Sequence, residues 1–164
     1  VARGLRIRWR SILHPLTVSR RLVKRMKRAG CVEVSLGFES GSDRMLRVLQ
    51  KGFTAGDIRR TVRRLREFEI GQMGFLLLGG PGEDRASVDE SFAFAESLGF
   101  EKMNLAVGIR IYPGTALADM AVREGMISPD DDLLQPSFYL SDTVRDWLPD
   151  RARAEAESHP GWRL

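Results

Sequence analysis

Cys31-Val32-Glu33-Val34-Ser35-Leu36-Gly37-Phe38-Glu39, running into Ser40-Gly41-Ser42-Asp43, is the stretch on which the fold turns. Strict alternation over the first nine residues marks a strand. Val32, Val34, Leu36 and Phe38 fall on one face, and Glu33, Ser35, Gly37 and Glu39 on the other. Ser42 and Asp43 then open a helix. The apolar face suits a layer of helices, while the second face is polar and open at Gly37. A packed parallel barrel would fill that second side with Val, Ile and Leu, so this strand looks into space meant for a polar ligand.

Upstream, Leu5, Ile7 and Trp9 alternate with Arg6, Arg8 and Arg10, a strand pattern. Ser19 or Thr17 caps a helix with Leu22, Val23, Met26 and Ala29 on one face, ended by Gly30. Downstream, the short helix from Ser42 stops near Lys51-Gly52. Thr54 caps a longer one, with Asp57 as capping-box partner, Ile58, Val62, Leu65 and Phe68 as its stripe and Gly71 as its end. Gln72 to Leu78 reads as a strand with no polar side chain after Gln72, the pattern of a strand buried on both faces. Ser87 and Glu90 form a capping box for a helix burying Val88, Phe92, Ala95 and Leu98 and ended by Gly99. Lys102 to Ile111 reads as one strand, with Asn104, Ala106, Gly108 and Arg110 on its polar side. Pro113-Gly114 turns the chain into a last helix from Thr115 to Gly125.

Strand then helix, four times over, demands parallel strands with right-handed crossovers. An open doubly wound sheet and part of a barrel both satisfy that order; the polar strand faces favour a partial parallel (β/α) barrel. Residues 1–126 are assigned to it. Residues 127–164 are read as a helical and loop extension packed on the barrel, with an Asp130-Asp131-Asp132 loop, an extended piece at Phe138 to Leu140 and a helix over Asp150 to Glu157.

The chain has 164 residues, 43% of them apolar, enough for a globular core. No apolar run is long enough for a membrane helix, and no secretory signal is visible, so a cytoplasmic setting is the expectation. The single Cys31 excludes an internal disulfide and any metal–thiolate cluster built from this chain alone, since such clusters take about four sulfur ligands. The net charge of +4 hides an asymmetry: residues 1–66 hold 18 Lys and Arg against four acids, and residues 67–164 hold eight against 18. That basic half admits a nucleic-acid partner. Most of its arginines fall on polar helix faces, however, and solvated helix faces are the simpler account.

Ligands of parallel α/β folds sit at strand carboxyl ends, here Arg10 to Pro15, Gly37 to Asp43, Gly79 to Glu83 and Arg110 to Thr115. In the second of these, Gly37 makes room and Glu39 points into the same space. Ser40-Gly41-Ser42 offers hydroxyls and free amides suited to an ammonium, carboxylate or ribose; an ordinary strand-to-helix turn would carry the same residues. Gly79-Gly80-Pro81-Gly82-Glu83 lacks the Lys-Ser or Lys-Thr of a phosphate loop and reads as a turn where the backbone approaches something closely. His14 and His159 are given no role.

Taken together, these segments resemble the radical S-adenosylmethionine (SAM) superfamily. Arg28-Ala29-Gly30-Cys31 is similar to its helix end, Gly37-Phe38-Glu39-Ser40-Gly41-Ser42 to its strand end, and Leu49-Gln50-Lys51-Gly52-Phe53-Thr54 to its Asn-Lys-Gly-x-Thr. Gly79-Gly80-Pro81-Gly82-Glu83 and Tyr112-Pro113-Gly114-Thr115 complete the order over residues 5–125. The tail, through His159-Pro160-Gly161-Trp162, resembles members that carry a cobalamin-binding domain. The resemblance implies an incomplete six-stranded barrel, of which about four strand–helix units are present, and a four-iron four-sulfur cluster held by Cys-x3-Cys-x2-Cys. It implies SAM as cofactor, a 5′-deoxyadenosyl radical as product of its cleavage, and possible cobalamin in the parent protein. By position, Glu39 and Lys51 would hold the methionine and ribose part of SAM, Ser35 and Ser40 would line the pocket, and the backbone at Leu77 to Gly79 and at Val107 to Gly108 would approach the adenine. The cysteine triad is absent, so its ligands must come from a missing N-terminal half or a separate cysteine-bearing chain, and no metal ligand or catalytic residue is assigned here.

Overall fold

The alternation at Cys31–Glu39 becomes β2, the second strand of a five-stranded sheet, in a computed structural model that describes residues 6–164. Its neighbours are β1 (Trp9–Leu13) on one side and β3 (Gly71–Leu78) on the other. β4 (Lys102–Val107) follows β3, and β7 (Trp162–Arg163) closes the row on β4. All of these pairings are parallel. α1 (Arg20–Arg28) links β1 to β2; α2 (Asp43–Val48) and α3 (Ala55–Glu67) link β2 to β3; α4 (Arg85–Leu98) links β3 to β4. The result is a parallel α/β sheet of the partial-barrel kind.

One core joins these layers. Val34, Leu36 and Phe38 of β2 and Leu76 and Leu78 of β3 pack with Ile58 and Leu65 of α3 and Phe92 and Ala95 of α4. The other sheet face carries Glu33, Ser35 and Gly37, then Met73, Phe75 and Leu77, all half-buried. β3 therefore does not lie buried on both faces, as its apolar run suggests: every second residue is partly open, because no described element covers that side.

Several boundaries move for tertiary reasons. The first strand is Trp9–Leu13 rather than Leu5 to Arg10; Leu5 lies outside the described residues, and Ile7 is exposed outside the ladder. Trp9 sets the register, its amide donating to the Gly30 carbonyl (3.1 Å) and its indole to the Ala29 carbonyl (2.9 Å). Of the two caps offered to α1, Ser19 accepts from the Leu22 amide. α3 ends at Glu67, Glu69 makes the left-handed turn (φ 51°), and Gly71 is already in β3. The cap of α4 is Asp84, in a reciprocal box with Ser87, so Ser87 occupies the third helical position and not the cap.

The strand expected over Lys102 to Ile111 breaks at Gly108 (φ 86°). Beyond it, β5 (Ile109–Arg110) leaves the sheet and pairs antiparallel with β6 (Phe138–Tyr139). With α5 (Ala116–Arg123), capped by Thr115, it builds a second cluster around Ile111, Ala121 and Tyr139. Then come α6 (Asp142–Arg145), α7 (Leu148–Ser158) and β7, a strand with no counterpart in the sequence reading. Val144, Leu148, Ala152 and Trp162 belong to the main core.

Candidate cofactor site at the strand carboxyl ends

The site begins with a backbone irregularity. The β2–β3 register skips between Gly37 and Glu39, and Glu39 is held at φ 64°, a conformation that costs a non-glycine residue about 1–3 kcal/mol. A clamp onto α4 holds it there. Ser40 is fully buried, its hydroxyl 2.9 Å from that of Ser91, while the Gly41 amide donates to the Ser91 hydroxyl at 3.1 Å. Gly41 is required by close approach: a Cβ there would lie 2.4 Å from the Phe94 Cβ. The Ser40 hydroxyl, which the resemblance set in the pocket, is thus turned to α4 and shapes the turn that presents Glu39.

The Glu39 carboxylate lies over Gly37, where a Cβ would come within 2.9 Å of Oε1. The missing side chain is the cradle for this carboxylate. Lys51 Nζ stands 3.4 Å from Glu39 Oε1. Two devices place Lys51: Gln50 takes the left-handed conformation (φ 52°) and the Lys51 amide closes α2 on the Leu46 carbonyl, while Asp43 accepts the Ala55 amide at 2.7 Å and fixes the far end of the loop. Both side chains remain partly open, 23% for Glu39 and 31% for Lys51, so the pair can exchange partners with a ligand.

Lys51 and Leu77 line one cavity of about 410 Å³, walled by Leu49, Pro81, Ile109, Leu117 and Met120. Apolar walls with a cation at the rim suit a flat ring carrying a polar arm. Its Ile109, Leu117 and Met120 wall comes from β5 and α5, which no local pattern in the sequence marked as part of a site. Ser35 is half-buried on the open face, below Gly37. Gly79 and Gly108 lie next to each other at the neighbouring strand ends, but the chain itself fills the space beside them: a Cβ on Gly79 would meet Leu140 Cδ1 at 2.3 Å, and one on Gly108 would meet Phe138 Cβ at 3.3 Å. Val107 packs against the main core.

The glycine-rich turn closes on a buried carboxylate. Glu83 is 1% exposed and accepts the amides of Gly79 and Gly80. Burial, the largest influence, pushes its carboxyl above the usual range against those two hydrogen bonds. What the backbone approaches closely here is its own residue Glu83 and Leu140. Lower on the open face, Glu33 bridges Arg10 (3.3 Å) and Lys102 (2.8 Å), and the hydrogen bond from Lys102 holds its carboxyl below the usual range.

An iron–sulfur cluster does not fit these residues. Cys31 is the only cysteine; it is buried at the amino end of β2, its thiol set toward the Glu33 carbonyl and pushed up by burial. SAM does fit: a cradled carboxylate, an ammonium beside it and an apolar cavity adjoin one another. Elsewhere, His14 packs edge-on against Phe53, and His159 stacks on Trp162 between Glu96 and Glu155. Among the described residues, no helix is long and apolar enough to cross a membrane.

The chain is similar in sequence and fold to known proteins. The chain is 30% identical over 124 residues to an uncharacterized methyltransferase of Pyrococcus horikoshii, a match covering 76% of this chain and 27% of that protein. It is 28% identical over 111 residues to a tRNA-2-methylthio-N(6)-dimethylallyladenosine synthase of Herpetosiphon aurantiacus, covering 65% and 25%. The chain thus spans about a quarter of these relatives. Among solved structures, it is similar to the radical SAM methyltransferase TsrM of Kitasatospora setae with cobalamin and a [4Fe-4S] cluster bound, with TM-score 0.66 and 25% identity over 72% of this chain and 22% of that one. The fold likeness reaches 94% of this chain, and 30% of the other, in the cobalamin-dependent SAM radical enzyme OxsB, at TM-score 0.65 and 14% identity. The family profile of the radical SAM superfamily matches residues 2–95, and with the order of motifs and the sheet it makes this chain a member of that superfamily.

Proposed function

We propose that this chain is the SAM-holding later part of a radical SAM barrel, with Glu39 and Lys51 as its principal cofactor contacts. The observation that carries the reading is the Lys51–Glu39 pair, 3.4 Å apart, over the gap left by Gly37. The Lys51 ammonium matches the carboxylate of the methionine arm, and the Glu39 carboxylate accepts from its ammonium or from ribose hydroxyls. The backbone at Leu77, with the apolar walls of the adjoining cavity, offers the adenine a face. Ser35 lies on the same open face, and Ser40 acts by shaping the turn. Gly79, Val107 and Gly108 keep the neighbouring strand ends close-packed around that face.

The cluster, which would supply the electron that cleaves SAM, would need cysteines that these 164 residues do not provide. β1 is the edge of the sheet, with β2 as its one neighbour among the described residues, and it is where a cysteine-bearing segment of the same or another chain would add its strands. Relatives named as methyl and methylthio transfer enzymes support group transfer as the reaction class, with an RNA base as acceptor. Cobalamin in the parent protein is supported by the fold neighbours that carry it. The free, buried Cys31 suits a reducing, cytoplasmic setting.

Calorimetric titration of the chain with SAM tests the contacts. Glu39→Gln and Lys51→Met should each weaken binding about tenfold, the loss of one charge-assisted hydrogen bond, with melting temperatures unchanged. SAM affinity indifferent to both substitutions would sink the assignment.

A further inference from the structure

The helices α1 and α3 lie against each other on the outer side of the sheet. Arg20 pairs with Glu67, the Arg64 guanidinium donates to the Val18 carbonyl at 2.6 Å, and the Thr61 hydroxyl donates to the Pro15 carbonyl at 2.8 Å. α1 holds six basic residues and no acid, and α3 holds five basic residues against two acids. Both acids are already used, Glu67 by Arg20 and Asp57 by Arg60. Among the described residues, Lys24, Arg25, Arg59 and Arg63 are exposed with no carboxylate in ion-pair range. Uncompensated charge of one sign on adjoining helices raises a field that recruits polyanions.

The groove between α3 and α4 gives that field a shape. Arg59, Arg63 and Arg66 fall four and three residues apart on one helix face, and they line a groove of about 410 Å³ with Ser97 and Leu98 opposite. Two of the three guanidinium groups are held in place: Arg59 sits 4.5 Å over the Phe94 ring, and Arg66 donates to the Leu98 and Gly99 carbonyls. Seven residues of helix span about 10 Å, the rise of roughly three stacked nucleotides. A protein partner would want an apolar centre, but Leu22 is the only large apolar side chain exposed on either helix among the described residues.

We infer that the α1–α3 layer binds the phosphate backbone of an RNA strand laid along the α3–α4 groove. The phosphate chemistry follows from the arginines alone; the choice of RNA over DNA rests on the group-transfer reading above. With no exposed aromatic ring on α1 or α3 for bases to stack on, the contacts are to the backbone and independent of sequence.

Fluorescence anisotropy of a labelled 12-nucleotide single-stranded RNA, with the full chain in about 50 to 200 mM KCl, decides it. Affinity should fall with salt, and Arg59→Gln with Arg63→Gln should weaken binding at least tenfold at the lowest salt. Their slope of log affinity on log salt should be shallower by about 1.4, two phosphates at roughly 0.7 each on a single strand. Arg59→Lys with Arg63→Lys should stay within about threefold of wild type, because the charge is kept, and Arg123→Gln with Arg153→Gln should stay within about twofold. SAM affinity, measured on the Gln pair, should be unchanged, which separates this inference from the cofactor reading. Four outcomes would each overturn it: no RNA binding by wild type at the lowest salt, an equal loss in the Arg123/Arg153 control, displacement by poly-glutamate at equal charge concentration, or tighter binding of DNA of the same sequence.

Discussion

Glu39 illustrates how much a single residue owes to its neighbours. Its side chain is ordinary, but its backbone is left-handed, and three small residues keep it there: Gly37 by leaving room, Ser40 by its buried hydroxyl and Gly41 by touching α4. Glu83 shows the opposite economy, a carboxylate buried to fasten two glycine amides. Its second oxygen has no hydrogen-bond partner among the described residues, and its pKa is raised by burial. A carboxyl whose folded pKa lies above its unfolded value adds stability in full below the ordinary value of about 4.5, and that stability is lost as pH rises through the folded value. Glu83→Gln removes this dependence. Thermal melts should therefore show wild type gaining on Glu83→Gln as pH falls from about 7.5 to 5. A wild-type-to-variant difference that stays flat across that range would show that burial does not raise the Glu83 carboxyl.

Among the elements, β4 and β5 divide where periodicity alone runs on. Met103, Leu105, Val107 and Ile109 keep an unbroken alternation, yet Gly108 carries φ 86° and its amide donates to the Leu78 carbonyl at 2.8 Å. Alternation reports which side chains are apolar and says nothing about a kink that only glycine permits. The kink delivers Ile109 to the cavity beside Lys51. Gly108→Ala places a Cβ 3.3 Å from both the Phe138 Cβ and the Tyr139 carbonyl oxygen in a backbone conformation that costs about 1–2 kcal/mol. We expect its melting temperature to drop by roughly 2–8 °C, with faster amide exchange at Ile109 and Ile111, whose bonds tie β5 to the chain at 137–139. An unchanged melt would mean that β5 and β6 do not depend on the kink.

At the scale of the whole molecule, residues far apart in the chain share one core. Leu148 and Ala152 of α7 are fully buried with the sheet, and Trp162 adds β7 to β4 through the Met103 register. We propose on this ground that residues 127–164 work as the last part of the barrel unit and not as an add-on to it. Trp162→Ala should cost about 3–5 kcal/mol, and deletion of residues 142–164 should abolish cooperative unfolding of the remainder in urea. A deletion variant that still unfolds in a single sharp transition near the wild-type midpoint would mark the tail as an independent extension.

Local chemistry was legible in the sequence. The caps at Ser19, Thr54 and Thr115, the glycine stops at Gly30 and Gly99, the alternation of β2 and the order of the family segments each depend on residues within a few positions of one another, and all reappear in the structure. Those patterns sufficed for a parallel α/β sheet with Glu39 at the carboxyl end of its second strand. The rest needed contacts between distant parts of the chain. The shift of β1 to Trp9–Leu13 was set by Gly30, the break at Gly108 by Phe138 and Tyr139, and the filling beside Gly79 by Leu140. The turn of Ser40 away from the pocket was set by Ser91, fifty-one residues on. A hydroxyl or a glycine has no direction in a sequence; the partner that packs against it supplies one, and that partner is chosen by the fold.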